Sequence, residues 1–265
     1  MPTPTPSAPS RAALPPPIRP VALVTGASSG IGAAVADRFA ADGRCRLLLA
    51  GRDEPRLAAV AGRTGGVPLP GDLGEPAGVA KLAADALDRE GRVDVLVAAA
   101  GLGWAGPLGA MPADAVDRLV AVNLTGVLHL VRLLLPPMAE RGAGQIVLVG
   151  SMAGRVGVAG EAVYAATKGA LLAFADSLRC ELAGTRVGVA VVMPGAVDTP
   201  FFGRRGAPYH RRHPRPVSAA KVADTVWRAA VHRRDDVFVP SWLALPARLH
   251  GTVPGFFRAM AKRFG

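Results

Sequence analysis

Between residues 21 and 239, short and almost continuously apolar runs alternate with longer stretches whose apolar residues recur at helical spacing. This alternation constrains the fold more than any other feature of the chain. Residues 21–24, Val-Ala-Leu-Val, form the first run; it stops at Thr25-Gly26, and 31–41 follow with helix-forming residues in apolar register. The pattern predicts further strands at 46–50, 67–69, 93–98, 145–149 and 187–193. It predicts helices at 54–61, at 75–89, one or two within 112–138, and one at about 161–182. Strands with little polar alternation are buried on both faces. The reading is therefore a single doubly wound Rossmann-type α/β domain, a parallel sheet of about seven strands with helices on both faces. A length of 265 residues suits one such domain. After Pro194-Gly195 the regularity weakens. The Arg, His and Pro-rich stretch 203–216 reads as mobile within a substrate loop over 197–217. Ser218 then caps a helix to about 231, and 237–239 makes a last strand. The expected organisation is a disordered Pro-rich leader over 1–20, a catalytic domain over 21–240 and a basic aromatic extension over 241–265.

Half of the residues are hydrophobic, yet no unbroken apolar run reaches the roughly 18 residues of a membrane span, and 1–20 lacks the apolar core of a secretory signal. The expectation is a cytoplasmic protein. Cys45 and Cys180, the two cysteines, lie in strand-like and helix-like apolar surroundings and read as buried reduced thiols rather than a disulfide. The five histidines have no ligand spacing, so no metal site is expected.

The net charge of +11 is concentrated at one end. Residues 204–265 carry thirteen Lys or Arg against three acids, a net of +10, and residues 1–203 are nearly neutral at +1. Trp227, Phe238, Trp242, Phe256, Phe257 and Phe264 are interleaved with these bases, and Arg258, Lys262 and Arg263 crowd the end. Three readings compete: a solvated basic face with the aromatics covering the core or the substrate cleft, peripheral contact with anionic membrane, or an acidic partner such as an acyl group on a phosphopantetheine carrier or CoA. No recognition motif accompanies the charge, which argues against nucleic acid.

Chemistry is signalled by Tyr164-x-x-x-Lys168, with Ser151 upstream and a glycine-rich turn, Thr25-Gly26-Ala27-Ser28-Ser29-Gly30-Ile31-Gly32, after the first strand. A tyrosine, with a reference pKa of about 10, needs a nearby positive charge to exchange protons near neutrality. On a helix Lys168 shares a face with Tyr164 and can supply it. Gly26, Gly30 and Gly32 allow the backbone to approach a phosphate while the following helix directs its free N–H groups at the anion. Their Gly-x-x-x-Gly-x-Gly spacing differs from the Gly-x-Gly-x-x-Gly dinucleotide fingerprint, and no Gly-Lys-Ser/Thr follows. The constellation points to hydride chemistry on a nicotinamide cofactor.

Through Thr25 to Gly32, Asp72, Asn123-Leu124-Thr125-Gly126, Ser151, Tyr164-x-x-x-Lys168 and Pro194-Gly195, the chain resembles the short-chain dehydrogenase/reductase family over roughly residues 20–200. The resemblance implies an oxidoreductase that interconverts a carbonyl and an alcohol. Tyr164 would be the proton donor or acceptor, Ser151 would hydrogen-bond the substrate oxygen, Lys168 would lower the Tyr164 pKa and bind the nicotinamide ribose, and Asn123 would complete a proton relay. A helix cap is the plainer reading of Asn123. The cofactor set implied is Gly26, Ser28, Ser29, Gly30, Ile31, Gly32, Arg52, Asp72, Leu73, Ala99, Gly101, Tyr164, Lys168, Pro194, Gly195, Val197 and Thr199.

Gly51-Arg52 at the end of the second strand favours NADP over NAD, because an Arg there welcomes a 2′-phosphate; Asp53, next to it, keeps NAD open. Two departures from the family pattern stand out. Ala98-Ala99-Ala100-Gly101 replaces Asn-Asn-Ala-Gly, losing hydrogen bonds that steady the sheet. The C-terminus also differs from that of the acyl-carrier-protein reductases. Phe201, Phe202 and Met193 lean toward a lipophilic small-molecule substrate. A homodimer or homotetramer through the long helices near Asn123 and Tyr164 is implied. An epimerase or dehydratase also uses Tyr-x-x-x-Lys but carries a large C-terminal domain, and a non-catalytic nucleotide-sensing relative tends to lose the Tyr or Lys.

Overall fold

Successive residues of each central strand face opposite cores, which explains why the strands are apolar throughout. The computed structural model describes residues 19–209, 214–252 and 255. The leader up to residue 18, His210 and His213 of the 203–216 loop, and the terminal Phe256, Phe257, Arg258, Lys262, Arg263 and Phe264 lie outside the described residues.

The elements in chain order are β1 (Val21–Thr25), α1 (Gly30–Asp42), β2 (Arg46–Gly51), α2 (Glu54–Thr64), β3 (Val67–Pro70), α3 (Pro76–Glu90), β4 (Val95–Ala98), α4 (Ala113–Val120), α5 (Gly126–Glu140), β5 (Gly144–Val149), α6 (Ala153–Val156), α7 (Ala162–Glu181) and β6 (Val187–Pro194). There follow β7 (Val197–Asp198), α8 (Phe201–Arg204), β8 (Val217–Ser218), α9 (Ala219–His232), β9 (Asp236–Val239) and α10 (Ala244–Thr252). Seven strands form one parallel sheet in the order β3-β2-β1-β4-β5-β6-β9. The chain reverses its direction of winding between β1 and β4, and such a switch point opens a crevice at the carboxyl ends of the strands.

Leu23, Leu48, Leu96 and Ile146 point into one core, with Leu82 of α3, Leu130 of α5 and Leu171 of α7. Their neighbours Val24, Leu49, Val97 and Val147 point into the other, with Phe39 of α1, Leu57 of α2 and Val226 of α9. The predicted strands and helices appear with ends shifted by a few residues. Ser218 caps α9 as expected, its Oγ accepting from the Lys221 backbone N–H at 3.3 Å.

One expectation changes and two gain detail. The segment read as one or two helices within 112–138 is a single 28-residue helix, Ala113–Glu140, in which a π turn at Ala121–Thr125 joins α4 to α5. It is long and apolar enough to cross a membrane by length and composition, unlike the unbroken apolar runs considered in the sequence, but its α5 face packs into the sheet core. Cys180 is exposed and Cys45 only partly buried, so the reading of both as buried thiols fails; Cys180 falls on the outer face of α7. At the Ala98–Gly101 departure the backbone is held by buried Thr25, whose Oγ1 accepts from the N–H groups of both Ala99 and Ala100 at 3.2 Å.

Candidate active site

A cleft of about 1280 Å³ opens over the carboxyl ends of β1, β2, β4, β5 and β6. Its floor begins with the glycine turn between β1 and α1. Gly26 and Gly30 have φ of +67° and +56°, and a Cβ on Gly32 would stand 2.3 Å from the Gly26 carbonyl oxygen, so only glycine fits this turn. No side chain caps the N-terminus of α1 and no acid occupies its first turn, leaving the helix end open toward the cleft. Such an end suits the pyrophosphate of a dinucleotide. Thr199 packs 3.4 Å from the Cβ position of Gly30, bringing the segment after β6 against the turn.

Ser151 lies two residues beyond β5, and Tyr164 and Lys168 project from α7 one turn apart. Ser151 Oγ accepts from the Ala153 N–H at 3.1 Å and shares a hydrogen bond with the Tyr164 phenol. Burial pushes the phenol up to about 12; the Ser151 hydrogen bond opposes this, Glu161 adds to it and Arg205 counters it. The Lys168 ammonium stands 5.9 Å from the tyrosine ring centre and donates to the Val149 carbonyl oxygen at 2.8 Å. Burial lowers its own pKa to about 8.

Every predicted site residue lines the cleft except Asn123, which is fully buried within the π turn. Asn123 is no helix cap, since the helix runs through it. Its Oδ1 accepts from the Leu102 N–H at 2.7 Å, and its Nδ2 donates to the Leu102 carbonyl at 2.9 Å and to Thr167 Oγ1 at 3.3 Å. Thr167 in turn donates to the Tyr164 carbonyl at 2.8 Å. Asn123 thus ties the loop after β4 to the helix that carries Tyr164 and Lys168.

At the adenosine end, Arg52 is about half exposed and its Nη1 stands 3.7 Å from Asp72 Oδ2. Asp53 is otherwise engaged: it caps α2 by accepting from the Arg56 N–H at 3.1 Å and pairs with the Arg56 side chain at 3.4 Å. Asp72 accepts from the Gly74 N–H at 2.8 Å and from Arg118 at 2.5 Å. Partial burial works to raise the Asp72 pKa, but these bonds and the two guanidinium groups hold it below the usual carboxylate range.

Four further cleft residues carried no motif: Arg204 and Arg205 fall in the expected substrate loop, Trp242 is among the aromatics of the basic C-terminal quarter, and Pro246 gave no signal in the sequence. Arg204 donates to Ser29 Oγ at 3.0 Å, placing a cation over the glycine turn. Arg205 pairs with Glu161. Trp242 and Pro246 border the cleft from the C-terminal side. Tyr164, Phe201, Phe202 and Tyr209 form a chain of ring contacts at 5.4, 5.7 and 5.0 Å, so Phe201 and Phe202 are brought to the site as expected. Met193 is wholly buried in the sheet core and does not reach it. Among the described residues no cluster of His, Cys, Asp or Glu is arranged to hold a metal.

Comparison with known proteins agrees with this geometry. The family model of the short chain dehydrogenases matches residues 20–209. The mouse protein "Dehydrogenase/reductase SDR family member 7B" is 33% identical over 264 residues, covering 92% of this chain and 80% of its own length. A 1-deoxy-11-beta-hydroxypentalenate dehydrogenase of Streptomyces avermitilis is 39% identical, covering 82% of this chain and 83% of its own. Among solved structures, a short-chain dehydrogenase from Sphingobium yanoikuyae in complex with NADPH has a TM-score of 0.78 at 31% identity, covering 89% of this chain and 95% of that one. A short-chain dehydrogenase/reductase from Burkholderia phymatum in complex with NAD has a TM-score of 0.79 at 28% identity, covering 88% and 92%. The chain belongs to the short-chain dehydrogenase/reductase family of nicotinamide-dependent oxidoreductases.

Proposed function

We propose that this protein is an NADP-dependent reductase of a ketone or aldehyde on a lipophilic small molecule. The observation that carries the reading is the Tyr164 phenol, hydrogen-bonded to Ser151 in an aromatic-lined cleft and held neutral by burial. A phenol that keeps its proton across the neutral range can give it up to a nascent alkoxide as hydride arrives, and the same group takes a proton from the alcohol in the reverse direction. NADPH would lie along the glycine turn, between Arg52 and Lys168, and would supply the hydride. Ser151 orients the carbonyl oxygen beside Tyr164, and Lys168, anchored on Val149, presents its ammonium near Gly101 at the ribose end. The Streptomyces relative, named as the dehydrogenase of a hydroxylated compound, supports the carbonyl–alcohol pair.

The NADP preference is supported by Arg52 and Arg56 at the rim, by Arg204 over the turn, and by the engagement of Asp53 as a helix cap. Arg52→Asp should shift the ratio of kcat/KM values toward NAD by at least tenfold, and an unchanged ratio sinks the preference. Tyr164→Phe should lower turnover at least 100-fold while NADPH still binds, read by titration of its fluorescence. Retained turnover refutes the proton-donor role. The substrate class is sought by following NADPH oxidation against steroids, retinoids, acyl-CoA ketones and quinones.

The protein is proposed to work in the cytoplasm as a homodimer or homotetramer through α5 and α7, with light scattering as the check. A peripheral membrane contact is favoured by Trp242 and Leu245, 54% and 73% exposed beside the cleft mouth in the basic quarter of the chain. Co-sedimentation with anionic vesicles, lost on removal of 241–265, is the expected result, and equal binding to neutral vesicles overturns it.

A further inference from the structure

The substrate side of the cleft is roofed by α8 and the residues after it, and three segments meet at one point beneath that roof. The Arg205 carbonyl accepts from the Ala105 N–H at 3.0 Å, joining the roof to the loop after β4. The Gly160 carbonyl accepts from the Gly106 N–H at 2.9 Å, joining the same loop to the approach to α7. The side chains of Arg205 and Glu161 close the triangle with an ion pair, both largely withdrawn from water at 10% and 14% exposure. Arg205 is further held by its Nε, which donates to the Ala207 carbonyl at 3.1 Å, and by the Phe202 ring, 4.6 Å beneath its guanidinium. A Cβ on Gly103 would come within 2.5 Å of Phe201 and 3.0 Å of Arg205, so the roof packs directly on the loop.

Glu161 lies three positions before Tyr164, and Phe201 of the roof touches the tyrosine ring at 5.4 Å. A buried ion pair presents little net charge to a neighbour while both members are present and a full charge when one is lost. We propose that Glu161 and Arg205 are a positioning pair, a neutral clamp that fixes the roof against the catalytic helix and sets the readiness of Tyr164 to transfer its proton. The proposal rests on the reading of Tyr164 as the proton donor. The charged groups facing Tyr164 are Glu161 from the residue just before α7, Lys168 from α7 and Arg205 from the roof; from the β5–α6 connection the uncharged Ser151 hydroxyl faces it. Within the clamp the two charges act in opposite senses on the phenol, Glu161 disfavouring the phenolate and Arg205 favouring it.

The chain has two tyrosines, Tyr164 and Tyr209, which permits a direct test on the full-length protein. Fluorotyrosine incorporation acidifies both phenols into an accessible pH range, and Tyr209→Phe assigns the second fluorine resonance. Glu161→Gln should move the Tyr164 titration midpoint down by about one pH unit and Arg205→Met should move it up by a similar amount. The double variant should lie between them, and Arg205→Lys should return toward the parent. Shifts in the same direction, or none in either folded variant, overturn the clamp, since a purely structural role has no reason to give opposite signs. Should Arg205→Met fail to fold, the comparison of Glu161→Gln with Arg205→Lys carries the test: a parent-like midpoint in both overturns it. The measurement needs no turnover, so its failure is separable from failure of the Tyr164→Phe experiment.

Discussion

The Lys168 ammonium donates to the carbonyl oxygen of Val149 at 2.8 Å, binding the middle of α7 to the last residue of β5. The same burial that makes this bond lowers the Lys168 pKa to about 8, against an ordinary value of 10.5. Below pH 8 both folded and unfolded chains carry the proton and the folded state bears the full cost of burying the charge. Between pH 8 and 10.5 the unfolded chain binds more protons, so stability rises with pH, and above 10.5 the cost is gone.

Lys168→Met should therefore gain on the parent at low pH. Its stability relative to the parent should be more favourable at pH 7 than at pH 11 by on the order of 3 kcal/mol, read from denaturant midpoints at the two pH values. A difference independent of pH would show that Lys168 is solvated in the folded state.

Asn123→Leu removes the partner of both backbone groups of Leu102 and leaves them unpaired beside a buried helix turn. The expected loss is roughly 2–4 kcal/mol of unfolding free energy, since each orphaned buried polar group costs about 1–3 kcal/mol. A variant as stable as the parent in urea would mean that the loop after β4 finds other partners.

Ser151→Ala removes the hydroxyl that meets the Tyr164 phenol and is expected to lower kcat about 100-fold. The hydrogen bond acts to lower the phenol pKa, so the variant's fluorotyrosine resonance at Tyr164 should titrate at higher pH than the parent's. A midpoint at or below the parent's contradicts the Ser151–Tyr164 bond.

Gly32→Ala would force a Cβ within 2.3 Å of the Gly26 carbonyl, so the glycine turn must open. NADPH affinity should fall at least about tenfold, with about 1–3 kcal/mol of stability lost as the turn and α1 shift. Fluorescence titration and denaturation on the same preparation check both, and parent-like affinity would place the pyrophosphate elsewhere.

Much of this was legible along the chain. Strands such as 145–149 declared themselves because a segment buried on both faces has no polar alternation, and each predicted site residue but Asn123 reached the cleft because it sits at or just beyond a strand end or on the first turns of a helix. The errors came where a residue's surroundings are supplied by distant segments. Cys180 stands in an apolar-spaced helix but between Arg179 and Glu181, on the outer side of α7, and Met193, set among strand residues, turns inward to the core rather than to the substrate.

The linear order of residues was sufficient for the alternating fold, the glycine turn and the spacing of Tyr164 and Lys168, since these depend on local geometry and on the 2.0 and 3.6 residue periods. The proton affinities at the site were decided by tertiary structure. Tyr164 is raised and Lys168 lowered because burial penalises their charged forms, and burial is created by elements as far apart as β5, α7 and the roof after β6. Asn123 found Leu102 21 residues away and Arg205 found Glu161 44 residues away, contacts that exist only once the sheet has brought its loops to one edge.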